Sequence, residues 1–556
     1  MIYNNKIEVK LFSIKQLKSL FDKKIFAVPK LQRDFVWNSK KAADLMDSIY
    51  KTYPIGTILI WKARKSKQFE LNHHPSALPQ YRAKGNKFIF FIIDGQQRLS
   101  VLNRILKGDI IKNYRNEEID FGKIFFLLSS DDKKFKYLKY ERTDTASLYE
   151  ILSPYWKSKF YGAPGYIIKS MNQCRERVFN YKVPFLMVSG YDLKEIKQTF
   201  IRINSLGTPI SSADQAFTLA SSFNLKDKIK LIFQNFNSGF INLPKEAILR
   251  TIVLIWGIET KSRSDKTDTL QFGMDEINSL SRKLDSNVNA QKKFNKIWGI
   301  LQYSFGLAID LFMMEFKLRD YNDIPSENML LSLATFFYYN NNAQPSSYER
   351  KQIRKWFWYT GVNSRYSGRG YVKNIIKDFL YFKKLGQGRG ISYVISDKLT
   401  KFEIINSDYS SSSSINKAFF ISLMLNEPKY LENGSNIPLS NYVSLKNKTN
   451  KHHIFPRDFL KRRNVGKNKI NSLANICLLV FKENLDIRNN PPVTYLSDFK
   501  RKKYFNKFLR SHLIPTETNS GLYDKTKSSY QKFLDKRANL ILKNFEKLAG
   551  TKLFER

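Results

Sequence analysis

The chain has 556 residues, too many for one ordinary core, so three or four domains are expected at about 150 residues each. Hydrophobic residues make up 42% and aromatic ones 14%, which excludes a disordered chain. Lys and Arg total 94 against 49 Asp and Glu. A net +45 repels itself unless a polyanion shares the surface, so nucleic acid held through its phosphates is the expected partner. Cys174 and Cys477 match no CxxC pattern, which excludes a disulfide framework and a Cys-rich zinc site.

The N-terminus, MIYNNKIEVKLF, has no long apolar run after its charges, so no secretory signal is expected and the protein reads as cytoplasmic. A helix is predicted from Asn38, with Ala42, Leu45, Met46 and Ile49 on one side and Pro54 as its stop. GTILIWKA reads as a strand. FIFFIID (Phe88 to Asp94) is a second strand, apolar throughout and so expected to be buried on both faces. It runs into GQQRLSVLNRILKG, where Val101/Ile105 and Leu102/Leu106 mark a helix that Gly108 terminates. Further strands are expected at KIFFLL and VPFLMVS. Asp192 with Glu195 makes a capping box for a helix carrying Leu193, Ile196, Phe200 and Ile203.

From about residue 225 the pattern turns to long helical periodicity with many aromatics. Ile297 to Met314 is the most apolar long run, but Gln302 and Asp310 within it favour a buried helix over a membrane span, and no membrane partner is expected. Trp356 and Trp358 are expected in a helical core, and RYSGRG (Arg365 to Gly370) as a flexible basic loop with no assigned role. NSDYSSSSSIN, residues 406–416, is the clearest linker-like stretch, with a long loop between helices as the alternative. A Lys-rich helical tail closes the chain.

Near the C-terminus stands HHIFPRDFL, with His452 and His453, then Asn475 in NSLANICLL and Asn484 in KENLDIRNNPP. Hydrolysing a phosphodiester needs a base that works near neutral pH, which imidazole suits, and a cation for the developing charge. The order His-His, Asn, Asn resembles the His-Asn-His (ββα-metal) nuclease motif. That resemblance implies His453 as general base, Asn475 as the residue holding its ring, and His452 and Asn484 as ligands of Mg²⁺ or another divalent cation. A neutral Asn stands where the family often has His, and Asn489 or Asn490 remain alternatives to Asn484. The other pair, His73-His74, has no acidic or Cys companion at ligand spacing and reads as loop. KRRNVGKNK, with Lys461, Arg462 and Arg463, and FKRKKYFNKFLR flank the motif as candidate phosphate contacts.

Three islands mark the N-terminal part: VPKLQRDFVW, IDGQQRLSVL and FIRINSLGTPIS. In the second, Asp94 closes a strand, Gly95 permits a tight turn, and a helix begins whose positive end suits an anion. Gln96, Gln97 and Arg98 add donors for phosphate oxygens, and Asp94 can hold Mg²⁺ through water. In order, these islands resemble the DGQQR domain, of ParB/sulfiredoxin-like fold, found at the N-terminus of GmrSD-type modification-dependent restriction enzymes and SspE-like nucleases. The resemblance implies nucleoside-triphosphate binding and hydrolysis (GTP, ATP or CTP) at Asp94, Gly95, Gln96, Gln97, Arg98, Asn204 and Thr208. Gln32 and Arg33 are implied in DNA binding or sensing.

The fold class expected is therefore α+β and multidomain. A ParB/sulfiredoxin-like α/β domain spans 1–222, a helical coupling region 223–405, and a His-Asn-His nuclease domain with a basic helical tail 406–556. The expected function is an NTP-regulated, metal-dependent DNA endonuclease, cutting or nicking modified or phage DNA in antiviral defence. Further copies of the chain or other defence proteins are its expected protein partners. The rival reading is a nucleotide-switched ParB-like DNA-binding protein with a vestigial nuclease half.

Overall fold

The computed structural model describes residues 6–29, 32, 35, 37–64, 87–112, 118–128, 134–138, 140–206, 211–234, 236, 239–241, 243–260, 270–396, 400–410, 412–437, 451–479, 483, 487 and 489–555. Its contacts divide into two compact units, Met1–Lys226 with Asn278–Asn287, and Asp227–Ile277 with Val288–Arg556. The expected division at residues 405 and 406 thus falls inside one unit.

The first unit is α/β. Strands β1 (Lys6–Ser13), β2 (Phe26–Ala27), β3 (Ile58–Arg64), β4 (Phe88–Asp94) and, after shorter strands, β10 (Lys182–Ser189) form a five-stranded mixed sheet in the order β1-β10-β3-β4-β2. The shorter strands are β5 (Ile110–Lys112) with β6 (Glu118–Asp120), and β7 (Ile124–Leu127) between β8 (Phe135–Tyr137) and β9 (Thr145–Ser147). The period of two along β4 sends Ile92 into one core and Ile89, Phe91 and Ile93 into the other, so both faces of this strand are covered, as its continuous apolar run requires. The larger core gathers helices Ile14–Asp22, Ser39–Tyr50, Gln96–Lys107 and Gly165–Asn180. The smaller one includes Ile196 and Phe200 of helix Leu193–Leu206.

The local signals act as expected. Asn38 caps its helix by accepting from the Lys41 N–H, and Gly108 ends another in the left-handed region at φ 67°. Asp192 and Glu195 exchange reciprocal bonds of 2.8 Å. Both cysteines are buried and free.

The second unit is mostly helical. Helix Val288–Phe316 is long and apolar enough to cross a membrane by composition, yet half of that window is buried, with Phe294, Leu301, Phe305 and Phe312 in the core. Trp356 and Trp358 are core residues of helix Ser347–Val362. The basic loop at Arg365 is an anchor: Arg365 binds both oxygens of buried Asp378 at 3.1 Å, and Tyr366, Tyr393 and Trp356 donate to the same carboxylate. The C-terminal helix, Lys527–Ala549, is a scaffold element, with Tyr530, Phe533, Leu534, Arg537, Ile541 and Phe545 turned inward and lysines outward. Its Phe545 ring meets Trp358 at 5.7 Å.

Of the two expectations for this stretch the structure has the loop between helices, Lys401–Asn406 and Ser414–Leu425, and its described residues are tied down. Asp408 bridges Ser472, Tyr409 N–H donates to Asn471 O, and Leu473 N–H donates to Ser407 O. Ser414 then opens the next helix, Ser414–Leu425. Polar composition marks a stretch that avoids a core; it does not show that its backbone lacks partners.

Candidate functional site

In the second unit, β11 (Lys451–His453) pairs antiparallel with β12 (Ile476–Leu478), with His452 opposite Cys477 and His453 opposite Ile476. Each strand is only three residues long, too short to hold itself. Asn475 secures the loop between them. Its amide donates to Phe455 O at 3.1 Å and Ile470 O at 2.9 Å, its Oδ1 accepts from Phe455 N–H at 2.9 Å, and its carbonyl accepts from Ile454 N–H. Asn475 therefore fixes the backbone that follows His453, and the ring itself is held by another residue.

That residue is Asn471. Its Oδ1 lies 3.3 Å from His453 Nε2, and its Nδ2 donates to Asp408 Oδ2 at 3.1 Å. A carboxylate can only accept, so Asp408 sets which way the Asn471 amide faces. The oxygen then points at the imidazole, and because an amide oxygen only accepts, this contact favours the tautomer with its proton on Nε2 and its lone pair on Nδ1. The Tyr409 ring packs edge-on against His453 at 4.9 Å.

The electrostatics favour a neutral imidazole. Burial, together with nearby Arg457, pushes the His453 pKa down to about 4 against the raising influence of Asn471 and Asp408. For Asp408, burial alone would raise the pKa, but bonds from Ser410 and Asn471 outweigh it and hold the carboxyl low. None of Asp408, Tyr409 or Asn471 was singled out in the sequence; Asp408 sits in the serine-rich run and Asn471 is one more Asn in an Asn-rich chain.

His452 occupies different surroundings. It is 4% exposed, its ring meets Tyr495 edge-on at 5.9 Å, and buried His512 is near enough to feel its charge. Successive strand residues alternate faces, which separates the two imidazoles. Among the described residues no group of three His, Cys, Asp or Glu could hold a metal ion. Asn484 lies outside the described residues, and Asn489 donates to Asp458. The described donors do not by themselves make a cation site.

Lys461 and Arg462 are exposed, whereas Arg463 is engaged, donating to Lys525 O and Phe459 O and covering the Phe459 ring at 3.6 Å. Beyond them lies a recess of about 910 Å³ lined by Asn406, Gly466, Lys467, Lys469, Lys527 and Gln531 among others. Arg537, wholly buried, donates to Ala474 O, Ile476 O, His512 O and Leu513 O, so the C-terminal helix holds the loop that carries Asn475.

In the first unit, β4 ends at Asp94, and Gly95 turns at φ 87° into helix Gln96–Lys107. The left-handed φ demands glycine here, and a Cβ would also meet the end of the Ile58 side chain, Cδ1, at 2.3 Å. Arg98 donates to Ile55 O at 2.6 Å, Thr57 O at 3.2 Å and Asp94 Oδ2 at 3.0 Å, which fastens the loop before β3 to this turn. Gln96 and Gln97 are buried, and Gln97 Oε1 accepts from Trp37 N–H. Gln32 reaches the end of β4 through Ile92 O and Ile93 O, while its own carbonyl accepts from Lys226. The first two islands thus meet. What the turn presents outward is the Asp94 carboxylate, 40% exposed, beside the first N–H groups of the helix. Arg33, Thr208 and His73-His74 lie outside the described residues, as does the side chain of Asn204.

An uncharacterized protein of Methanocaldococcus jannaschii is 22% identical in an alignment covering 94% of this chain and 96% of that relative. Residues 17–223 match the family model of the GmrSD restriction endonuclease N-terminal domain. The match spans the N-terminal part of the chain, most of the strands and helices of the first unit.

Proposed function

We propose that the chain is a DNA endonuclease of a restriction-type defence system, in which His453 is the general base and the DGQQR turn is a separate nucleoside-triphosphate site. The observation that carries the reading is the Asp408–Asn471–His453 chain, which leaves Nδ1 of a neutral imidazole as the proton acceptor. A water molecule delivered to Nδ1 loses its proton there as it attacks the phosphorus. The approaching phosphate carries negative charge, which raises the pKa of the histidine beside it and makes it a stronger base when substrate is bound. A vestigial nuclease half would have no need of this arrangement, which disfavours the ParB-like rival.

A divalent cation would supply charge stabilisation at the leaving oxygen, with His452 and Asn484 as its proposed ligands; no step above depends on it. Modified or phage DNA is the proposed substrate, its backbone lying along Lys461, Arg462 and the lysine-lined recess. Cleavage of plasmid and modified phage DNA, with and without Mg²⁺, tests the reading. His453→Ala should lose at least roughly 10²–10⁴-fold in rate while DNA binding persists. Full activity in that variant would refute the assignment. DNA affinity should fall with salt at a slope of about −0.9 per phosphate neutralised.

A further inference from the structure

Among the described residues β1 is the edge of the five-stranded sheet, and β10 is its partner there. The pairing runs without a bulge from Lys6 opposite Ser189 to Ser13 opposite Lys182. Eight residues is long for an edge strand, and the strand contains no proline. Ile7, Val9 and Leu11 share one face and are 59%, 70% and 60% exposed, beside Leu186 of β10. Glu8 and Lys10 share the other face, 3.6 Å apart. An exposed, regular, apolar edge is a template for another strand.

The sequence Ile7-Glu8-Val9-Lys10-Leu11 is symmetric about Val9 in both apolarity and opposite charge. We infer that β1 pairs antiparallel with β1 of a second copy of this chain, about a twofold axis at Val9, joining two five-stranded sheets. In that register Ile7 faces Leu11, Val9 faces Val9, and each Glu8 faces a Lys10. Every neighbouring register is worse. A slip of one residue sets the apolar face of one strand against the charged face of the other. A slip of two sets Glu8 against Glu8 or Lys10 against Lys10, and parallel pairing does both. The interface is isologous, so it closes at two copies and does not propagate.

The test is sedimentation velocity of the full chain over a range of concentrations at about 0.15 M salt, where the Debye length is about 8 Å and long-range repulsion between two basic chains is screened. The unaltered chain should dimerise. Glu8→Lys or Lys10→Glu should each weaken the dimer about tenfold or more, because two opposed pairs become like-charged. The double variant Glu8→Lys/Lys10→Glu should restore it, since the swap keeps the symmetry. Both side chains are on the surface, and circular dichroism of each variant should match the parent. Val9→Cys should give a covalent dimer under mild oxidation, with Cys174 and Cys477 too buried to compete, while Ile7→Cys should not. A monomer at all concentrations, single variants that dimerise like the parent, or a double variant as weak as the singles would each overturn the inference.

Discussion

Asn471 Nδ2 donates to Asp408 Oδ2 at 3.1 Å across 63 residues of chain, and through that bond a residue far from the His452-His453 pair sets which way the Asn471 oxygen faces His453 Nε2. The backbone supports it, because Asp408 bridges Ser472 and Tyr409 N–H binds Asn471 O. Asp408→Ala should lower the cleavage rate about 10–100-fold, the usual cost of removing a partner that orients a working histidine. DNA affinity should be unchanged. Asp408→Asn should recover part of the rate, since its Oδ1 can still accept from Asn471. Single-turnover cleavage by the two variants checks this, and equal rates for Asp408→Ala and the parent would remove Asp408 from the site.

Acidification should expose the two neutral histidines. Burial pushes His453 and His512 each down to about 4, whereas in the unfolded chain they take a proton near pH 6.5. The unfolded state therefore binds more protons between those values, and stability is lost as pH falls from 6.5 towards 4. For fully buried His512 the loss is on the order of 3 kcal/mol by the end of that window. At subsaturating DNA, where the rate reports the substrate-free enzyme, cleavage should stay level through pH 6.5. Urea unfolding at several pH values, beside the pH–rate profile, separates the two effects; a rate that halves near pH 6.5 with stability unchanged would contradict the buried, neutral His453.

Arg537 is charged although buried, its pKa lowered by burial to about 10. Arg537→Met leaves the carbonyls of Ala474, Ile476, His512 and Leu513 without their donor, so about 2–4 kcal/mol should be lost from the unit containing β11 and β12. Denaturant unfolding followed by hydrogen exchange at residues 474–477 would localise the loss. Undiminished protection there would show that packing alone holds the loop.

The two proposed active sites should be separable. Asp94→Ala should abolish triphosphate hydrolysis and leave the surroundings of His453 unchanged, while His453→Ala should spare hydrolysis. Arg98→Ala should weaken nucleotide retention through the turn it fastens and also destabilise its unit by about 1–3 kcal/mol, since charge-assisted bonds to Ile55 O, Thr57 O and Asp94 are lost. Hydrolysis and cleavage measured side by side on these variants decide the matter. Loss of hydrolysis in His453→Ala as complete as in Asp94→Ala would mean one site, not two.

Local order was written plainly in the chain. The apolar run of β4, the glycine after Asp94, the caps at Asn38 and Asp192, and the core tryptophans at 356 and 358 follow from steric and hydrogen-bonding rules that act over a few residues. His453 stood out because histidine is a rare residue type in this chain and this one stands in a recognisable run. Partners distant in sequence were decided by the tertiary structure. Asn475 was legible as important, yet its amide is spent on the Phe455 and Ile470 backbone and the ring falls to Asn471. The serine-rich run looked like a linker because composition reports hydrophobicity, whereas Asp408 is tied by backbone bonds that any sequence could make. The lysine-rich C-terminal helix looked like a basic tail because charge count averages over its faces, and only packing showed that Arg537 points inward to four carbonyls. Sequence determined which residues could do chemistry and where each element begins; the fold decided which of them meet, because a hydrogen bond depends on position in space and not on distance along the chain.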